Sequence, residues 1–145
     1  MKLIKNLVSS TLILLSFSVH SQDKTFKNSD ETKAFSMKIS ENFSKMKIEE
    51  SFTELKKFWP MPENEIDGLE EKTLKYLNLL EDRFGKSNGV VKIKEEAIKD
   101  FAIRETYIVK YSFSAIRLVF TYYKSENGWI VNSFKWDDSF SEEFK

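Results

Sequence analysis

Ala115-Ile-Arg-Leu-Val-Phe-Thr-Tyr-Tyr-Lys-Ser-Glu-Asn-Gly-Trp-Ile-Val-Asn-Ser-Phe-Lys-Trp-Asp-Asp138 reads as two strands joined by a tight turn. Ile116, Leu118, Phe120 and Tyr122 recur at every second residue, the period of a strand with one buried face. Ser125-Glu126-Asn127-Gly128 supplies the turn, because Asn-Gly accepts the positive φ that a short hairpin demands. Trp129 to Trp136 is the returning strand. Upstream, Tyr107, Val109, Tyr111 and Phe113 alternate in the same way, and Ser114-Ala115 leaves room only for a tight hairpin or a bulged corner. Val90 to Asp100, after Ser87-Asn88-Gly89, predicts a first strand diluted by Lys and Glu. The C-terminal half is expected to be an antiparallel meander of four strands.

Before Gly85 the period is helical. Phe35, Ile39, Phe43 and Met46 recur at steps of four and three, which predicts a helix from Asp30 capped by Asp30 or Ser29. Ser51 and Glu54 match the S-x-x-E capping box, so a second helix is expected to start there with Phe52, Leu55 and Trp59 on its buried face. Pro60 ends it, since the residue before proline is pushed out of the α region. Pro62 or Glu63 opens a third helix with Ile66, Leu69, Thr73, Leu77, Leu80 and Phe84 as its stripe, and Gly85 is its stop. Residues 22–29 are polar and read as a flexible lead-in. Three helices before a meander, with no linker or repeat, predict one α+β domain over residues 30–145, its helices on one face of the sheet.

Residues 1–21 read as a secretory signal peptide: Lys2 and Lys5 precede an uncharged run from Leu7 to Val19, and Val19-His20-Ser21 suits cleavage before Gln22. That run of about 13 residues is short for a transmembrane anchor, which needs about 20. The expected product is secreted or periplasmic, with no cysteine for a lipid anchor. It would hold 21 basic residues against 23 acidic ones, a balance that exerts no long-range pull on nucleic acid or anionic membrane. His20 is the only histidine and there is no cysteine, so the mature chain would lack the commonest neutral-pH base, the commonest metal ligand and the best thiol nucleophile. No cofactor or metal is indicated.

The hairpin quoted above resembles the C-terminal hairpin of small bacterial exported proteins in the nuclear-transport-factor-2-like superfamily: an aromatic-rich strand, a turn with Gly-Trp, then a strand ending in aromatic-Asp-Asp. Tyr107-Ile-Val-Lys-Tyr111 is similar to the strand before it. The resemblance covers about 50 residues and implies a cone, with helices against a curved sheet and a pocket at the wide end. Members commonly place a strand or short hairpin before the third helix, and Met61-Pro62-Glu63 leaves no room for one here. A four-stranded, cystatin-like sheet wrapped on helices is therefore the neighbouring possibility. Fold alone does not carry function, and with no mature histidine nothing catalytic transfers.

In such a pocket Tyr107, Tyr111 and Tyr122 would supply hydroxyls and apolar area, with Trp59 and Trp136 at the rim. The competing reading is that these aromatics are simply core. Arg117 faces away from Leu118 and is expected to form a cross-strand ion pair. Asp137-Asp138 with Glu142-Glu143 reads as a solvated tail, and Lys94-Glu95-Glu96 as ordinary surface charge. Of the strand carboxylates Glu95, Glu96, Asp100 and Glu105, none is read as lying in an apolar alternation, which argues against an isomerase or dehydratase working through a carboxylate and Tyr. Val119, Thr121, Tyr123 and Ile108 make the second sheet face partly apolar and suggest a sheet-to-sheet homodimer, as occurs in the superfamily the hairpin resembles. The expected role is a non-enzymatic exported domain binding a small apolar ligand or an envelope protein. A cystatin-like inhibitor or immunity-type protein is the alternative.

Overall fold

The computed structural model describes residues 24–145, so the expected signal peptide lies outside the described residues. The meander comprises β1 (Ser87–Ile98), β2 (Ala102–Tyr111), β3 (Ala115–Ser125) and β4 (Gly128–Asp137), hydrogen-bonded in sequence order and antiparallel throughout. Three helices precede it: α1 (Ser29–Ser44), α2 (Ile48–Lys56) and α3 (Glu63–Phe84). The α+β class and the order of helices before sheet are as the periodicities predict. No helix among the described residues is long and apolar enough to cross a membrane.

Strand parity sets the two faces of the sheet. Tyr107 pairs with Leu118, and Leu118 with Trp136; Glu105 pairs with Phe120, and Phe120 with Phe134. These rows turn toward the helices, where Phe43 and Phe52 meet Phe134 edge-on. α1 packs on β1 and β2, while α2 packs against α3.

Several local expectations are corrected. α1 is capped by Asn28, whose side chain accepts from the backbone N–H groups of Asp30 and Glu31; Met46 lies beyond its end at φ 58°. The Ser51–Glu54 pair does not open α2, which begins at Ile48. Ser51 is inside the helix and buried, its hydroxyl donating to Lys47 O at 2.9 Å. That helix ends at Lys56, so Trp59 enters the core from the following turn. α3 begins at Glu63 and stops at Gly85, as predicted. β1 starts and ends slightly earlier than expected. Phe113 is no strand residue: β2 stops at Tyr111, and Phe113 stands 82 % exposed in the turn.

The lead-in is anchored from Lys24 onward. Phe26 is buried, stacks on Phe58 with ring centroids 4.0 Å apart, and pairs with Trp129 through two backbone hydrogen bonds of 2.8 Å. Gly128 has φ 134°, and a Cβ there would lie 2.7 Å from Phe26 O. The Asn-Gly turn therefore also makes room for the lead-in.

The outer sheet face is partly apolar, as expected, at its two ends, in the rows Val91–Ile108 and Ile98–Ala102–Tyr123–Ile130, where Val91, Ile98 and Tyr123 are exposed. Its central rows are polar and run Lys94–Thr106–Val119–Lys135 and Glu96–Arg104–Thr121–Ser133. Ile108 is buried, Val119 and Thr121 are half-buried, and only Tyr123 of the four residues singled out is exposed.

Candidate functional site

A groove of about 380 Å³ opens between α3 and β4, which meet through Thr73 and Trp136. Its apolar surface comes from Phe52 of α2, Leu69 and Tyr76 of α3, and Phe134 and Trp136 of β4. The helical spacing predicts Leu69 to be buried; it is 37 % exposed and lines the groove. Tyr76 is 60 % exposed, and its ring meets Trp136 edge-on at 6.5 Å. Thr73, one helical turn from both, accepts a hydrogen bond from Trp136 Nε1 at 2.9 Å. That bond satisfies the indole N–H and fixes the ring plane as one wall of the groove.

The rim is charged. Lys72 and Lys135 border the groove, and neither makes an ion pair among the described residues. Asp137 is also there, but its carboxylate is engaged: Arg117 Nε donates to Oδ1 at 3.2 Å and Arg117 Nη2 to Oδ2 at 2.7 Å. A second concavity continues along the same wall past Leu80 and Asp138. The arrangement suits an amphipathic molecule whose apolar body lies against Trp136 and whose anionic group reaches the two lysines.

The structure separates the five aromatics expected to line one pocket. Trp136 alone among them borders the groove. Trp59, Tyr107, Tyr111 and Tyr122 are buried in the packed core. Tyr107 and Tyr111 have pKa values raised to about 12, in each case first by burial and then by a nearby carboxylate, Glu105 and Glu81 respectively. Tyr122 is raised well above its ordinary value, again by burial first.

Tyr122 belongs to a buried polar chain absent from the sequence-based expectations. Glu105 has no solvent exposure. Ser36 of α1 donates to Glu105 Oε2 at 2.5 Å, and with its one proton so placed it accepts from Tyr122 Oη, also at 2.5 Å. Lys92 donates to Glu105 Oε1 at 3.0 Å and to Glu95, and Lys33 pairs with Glu95 at 3.3 Å. Burial works against the Lys92 ammonium, but its hydrogen bonds to Glu95 and Glu105 outweigh that and raise its pKa. Glu95 is exposed, as expected of surface charge, and its bond from Lys92 lowers its pKa. Glu105 corrects the expectation that no strand carboxylate lies in an apolar alternation: it sits between Ile103 and Tyr107 on the face that also carries Val109 and Tyr111, a parity visible in the sequence.

This chain is a carboxylate linked to a tyrosine, the pair an acid–base enzyme would use. It is sealed by α1, however, since Ser36, Glu105 and Tyr122 are all fully buried. Its residues do not border the groove. Among the described residues there is no group of three His, Cys, Asp or Glu side chains placed to hold a metal ion. No protein-family model, curated protein or solved structure matches the chain, which leaves the groove's own geometry to carry the functional reading.

Proposed function

We propose that this chain is an exported, non-enzymatic binding domain that takes a small amphipathic ligand, an apolar body bearing an acidic group, in the groove between α3 and β4. The observation that carries the reading is Trp136: a half-buried indole, fixed by Thr73, walls an open apolar groove whose rim holds Lys72 and Lys135, neither ion-paired among the described residues. The sealing of the Glu105–Ser36–Tyr122 chain favours binding over acid–base catalysis, because no substrate atom reaches it without α1 lifting away. We read the architecture as a reduced nuclear-transport-factor-2-like or cystatin-like cone, supported by the helices-then-meander order and the aromatic hairpin. Delivery to the periplasm or beyond rests on the N-terminal sequence.

Tryptophan fluorescence titration with decanoate and with anilinonaphthalene sulfonate tests the groove. A saturable change with one ligand per chain is expected. It should vanish from the tryptophan signal in Trp136→Phe while dye emission persists, and Leu69→Asp should weaken binding at least about ten-fold, equivalent to about 1.4 kcal/mol. Lys72→Gln should weaken decanoate by a few-fold and leave decanol unchanged, since an exposed charge contributes under about 1 kcal/mol. Binding that is indifferent to Leu69→Asp, or no saturable response to either ligand, would overturn the assignment.

A further inference from the structure

On the far side of the sheet from the helices lies a second cleft, of about 390 Å³, and its character is ionic. Lys94, Arg104, Arg117 and Lys135 supply four cations to it, and Glu96 and Asp137 two carboxylates. The balance is made even by the C-terminal 3₁₀ turn, Phe140–Phe144, which brings Glu142 and Glu143 to the same cleft. Glu143 accepts from Arg117 Nη1 at 2.8 Å and lies 3.0 Å from Lys94 Nζ, so the turn reaches from β3 across to β1. These contacts lower the Glu143 pKa, Arg117 first and Lys94 second. The tail is exposed, as the sequence suggests, but Glu143 seats it on a cationic sheet face.

Three observations show that this seat is built for more than its own tail. First, Arg104 and Lys135 face the cleft and make no ion pair among the described residues, so half of its cations are unused. Second, the tail fits incompletely: Glu143 Oε2 is buried yet has no hydrogen bond of acceptable geometry, Lys94 being close but poorly aimed. Third, the turn buries none of its residues, so it can leave without opening the core. A terminal 3₁₀ turn of this length has little stability of its own. Its advantage over a separate molecule is the tether, which supplies an effective concentration in the millimolar range. A competing segment must gain contacts the tail does not make, and Arg104 and Lys135 are the ones on offer. Arg104 pairs with Thr121, four residues along β3 from Arg117. That spacing is about 13 Å in extended chain, the reach of two carboxylates placed four residues apart.

We propose that the outer face of the sheet is a docking site for an extended acidic segment of a partner protein, and that Ser139–Phe144 is its intramolecular competitor. Recognition is by charge-assisted hydrogen bonds from Arg117 and Lys94 to one carboxylate and from Arg104 and Lys135 to another. Docking of the partner displaces the tail and frees the exposed Phe144 with it.

The test is an amide-shift titration of the full chain with an acetylated peptide of its own last eight residues, Asp138–Lys145, in which Asp138 and Glu142 have the required spacing. The chain is used as wild type, as Glu142→Gln/Glu143→Gln, which weakens the resident tail, and as Arg104→Gln, which alters no ion pair of the tail. The peptide should perturb the amides of Lys94, Arg104 and Arg117, bind the double variant at least about ten-fold more tightly than wild type, and weaken with added salt. Arg104→Gln should lose most of the binding while its tail amides keep their wild-type shifts, a result independent of whether the double variant folds well. Equal affinity for wild type and double variant, binding indifferent to Arg104→Gln, no binding at millimolar peptide, or perturbation confined to the α3–β4 groove would each overturn the proposal.

Discussion

Glu105 pairs across the sheet with Phe120 on β3, and a carboxylate in that row must be compensated or it would oppose folding. Ser36 and Lys92 supply the compensation from two different elements, which ties α1 and β1 to β2 through one side chain. The same face carries tyrosines whose ionisation burial disfavours. Tyr107 and Tyr111 are pushed up to about 12 in the folded chain, against an ordinary value of 10.0, and Tyr122 is raised well above that ordinary value; burial is the leading cause for all three. A folded pKa above the unfolded one stabilises the fold at every pH below the unfolded value. The contribution disappears as pH rises from about 10 toward about 12, where the unfolded chain ionises and the folded one does not. Lys92, also raised, acts in the same direction. The urea midpoint should therefore decline steeply above pH 10, and Tyr107→Phe should make that decline shallower while lowering stability little at pH 7. A midpoint that stays level to pH 11.5, or a Tyr107→Phe curve parallel to wild type, would contradict this origin. The tyrosines were legible as one alternating face, but Glu105 was read as outside any apolar alternation although its parity puts it in that face. Its partners were not legible, because Ser36 and Lys92 lie 69 and 13 residues away from it in sequence.

Helix and strand identities followed from hydrophobic period, while ends were decided by contacts that no local motif encodes. The S-x-x-E pair of Ser51 and Glu54 has the right residues for a start, yet Ile48 is buried and draws the helix three residues further upstream. In that setting the Ser51 hydroxyl bonds back to Lys47 O instead of capping. Gly85 is the opposite case, where sequence and contact agree. It closes α3 at φ 80°, and a Cβ added there would lie 2.9 Å from Ser112 Cβ and 3.2 Å from the Phe113 ring. The α3 end is clamped at this point by Phe113 N–H donating to Phe84 O at 2.9 Å. Gly85→Ala thus meets both an unfavourable backbone conformation and a clash with the β2–β3 turn. A loss of about 1–2 kcal/mol is expected, above the usual benefit of removing a glycine's freedom in the unfolded chain. Gly68→Ala is the contrast: a Cβ there meets nothing within 4 Å and the site lies inside α3, so it should stabilise by up to about 1 kcal/mol. Thermal unfolding of the pair reads both signs, and a neutral Gly85→Ala would show that the turn yields freely.

At the scale of the molecule the end of β4 is the common wall of both clefts. Trp136 points toward α3 and the groove, while Lys135 and Asp137 border the groove and the outer cleft alike. Little of this was readable beforehand: strand alternation predicts two faces, but it does not say that a groove opens between α3 and β4 or that the last turn folds back across the sheet. Asp137 is the joint. It holds Arg117 by two hydrogen bonds and accepts from Ser139 N at 2.9 Å, so one carboxylate sets the angle at which the tail leaves β4 and keeps Arg117 aimed at Glu143. Asp137→Asn retains an acceptor but loses the bidentate charge match with the guanidinium. Two effects should appear together. Amide hydrogen exchange in residues 139–144 should accelerate by roughly ten-fold, as the bonds that close the turn weaken by about 1.4 kcal/mol. Decanoate should bind the groove more tightly, because Lys135 no longer shares its surroundings with a fixed carboxylate. Lys72→Gln, on the helical side of the groove, should weaken decanoate while leaving tail exchange at its wild-type rate. If Asp137→Asn altered exchange in the tail with no change in decanoate affinity, β4 would be a divider between two independent surfaces rather than a shared wall.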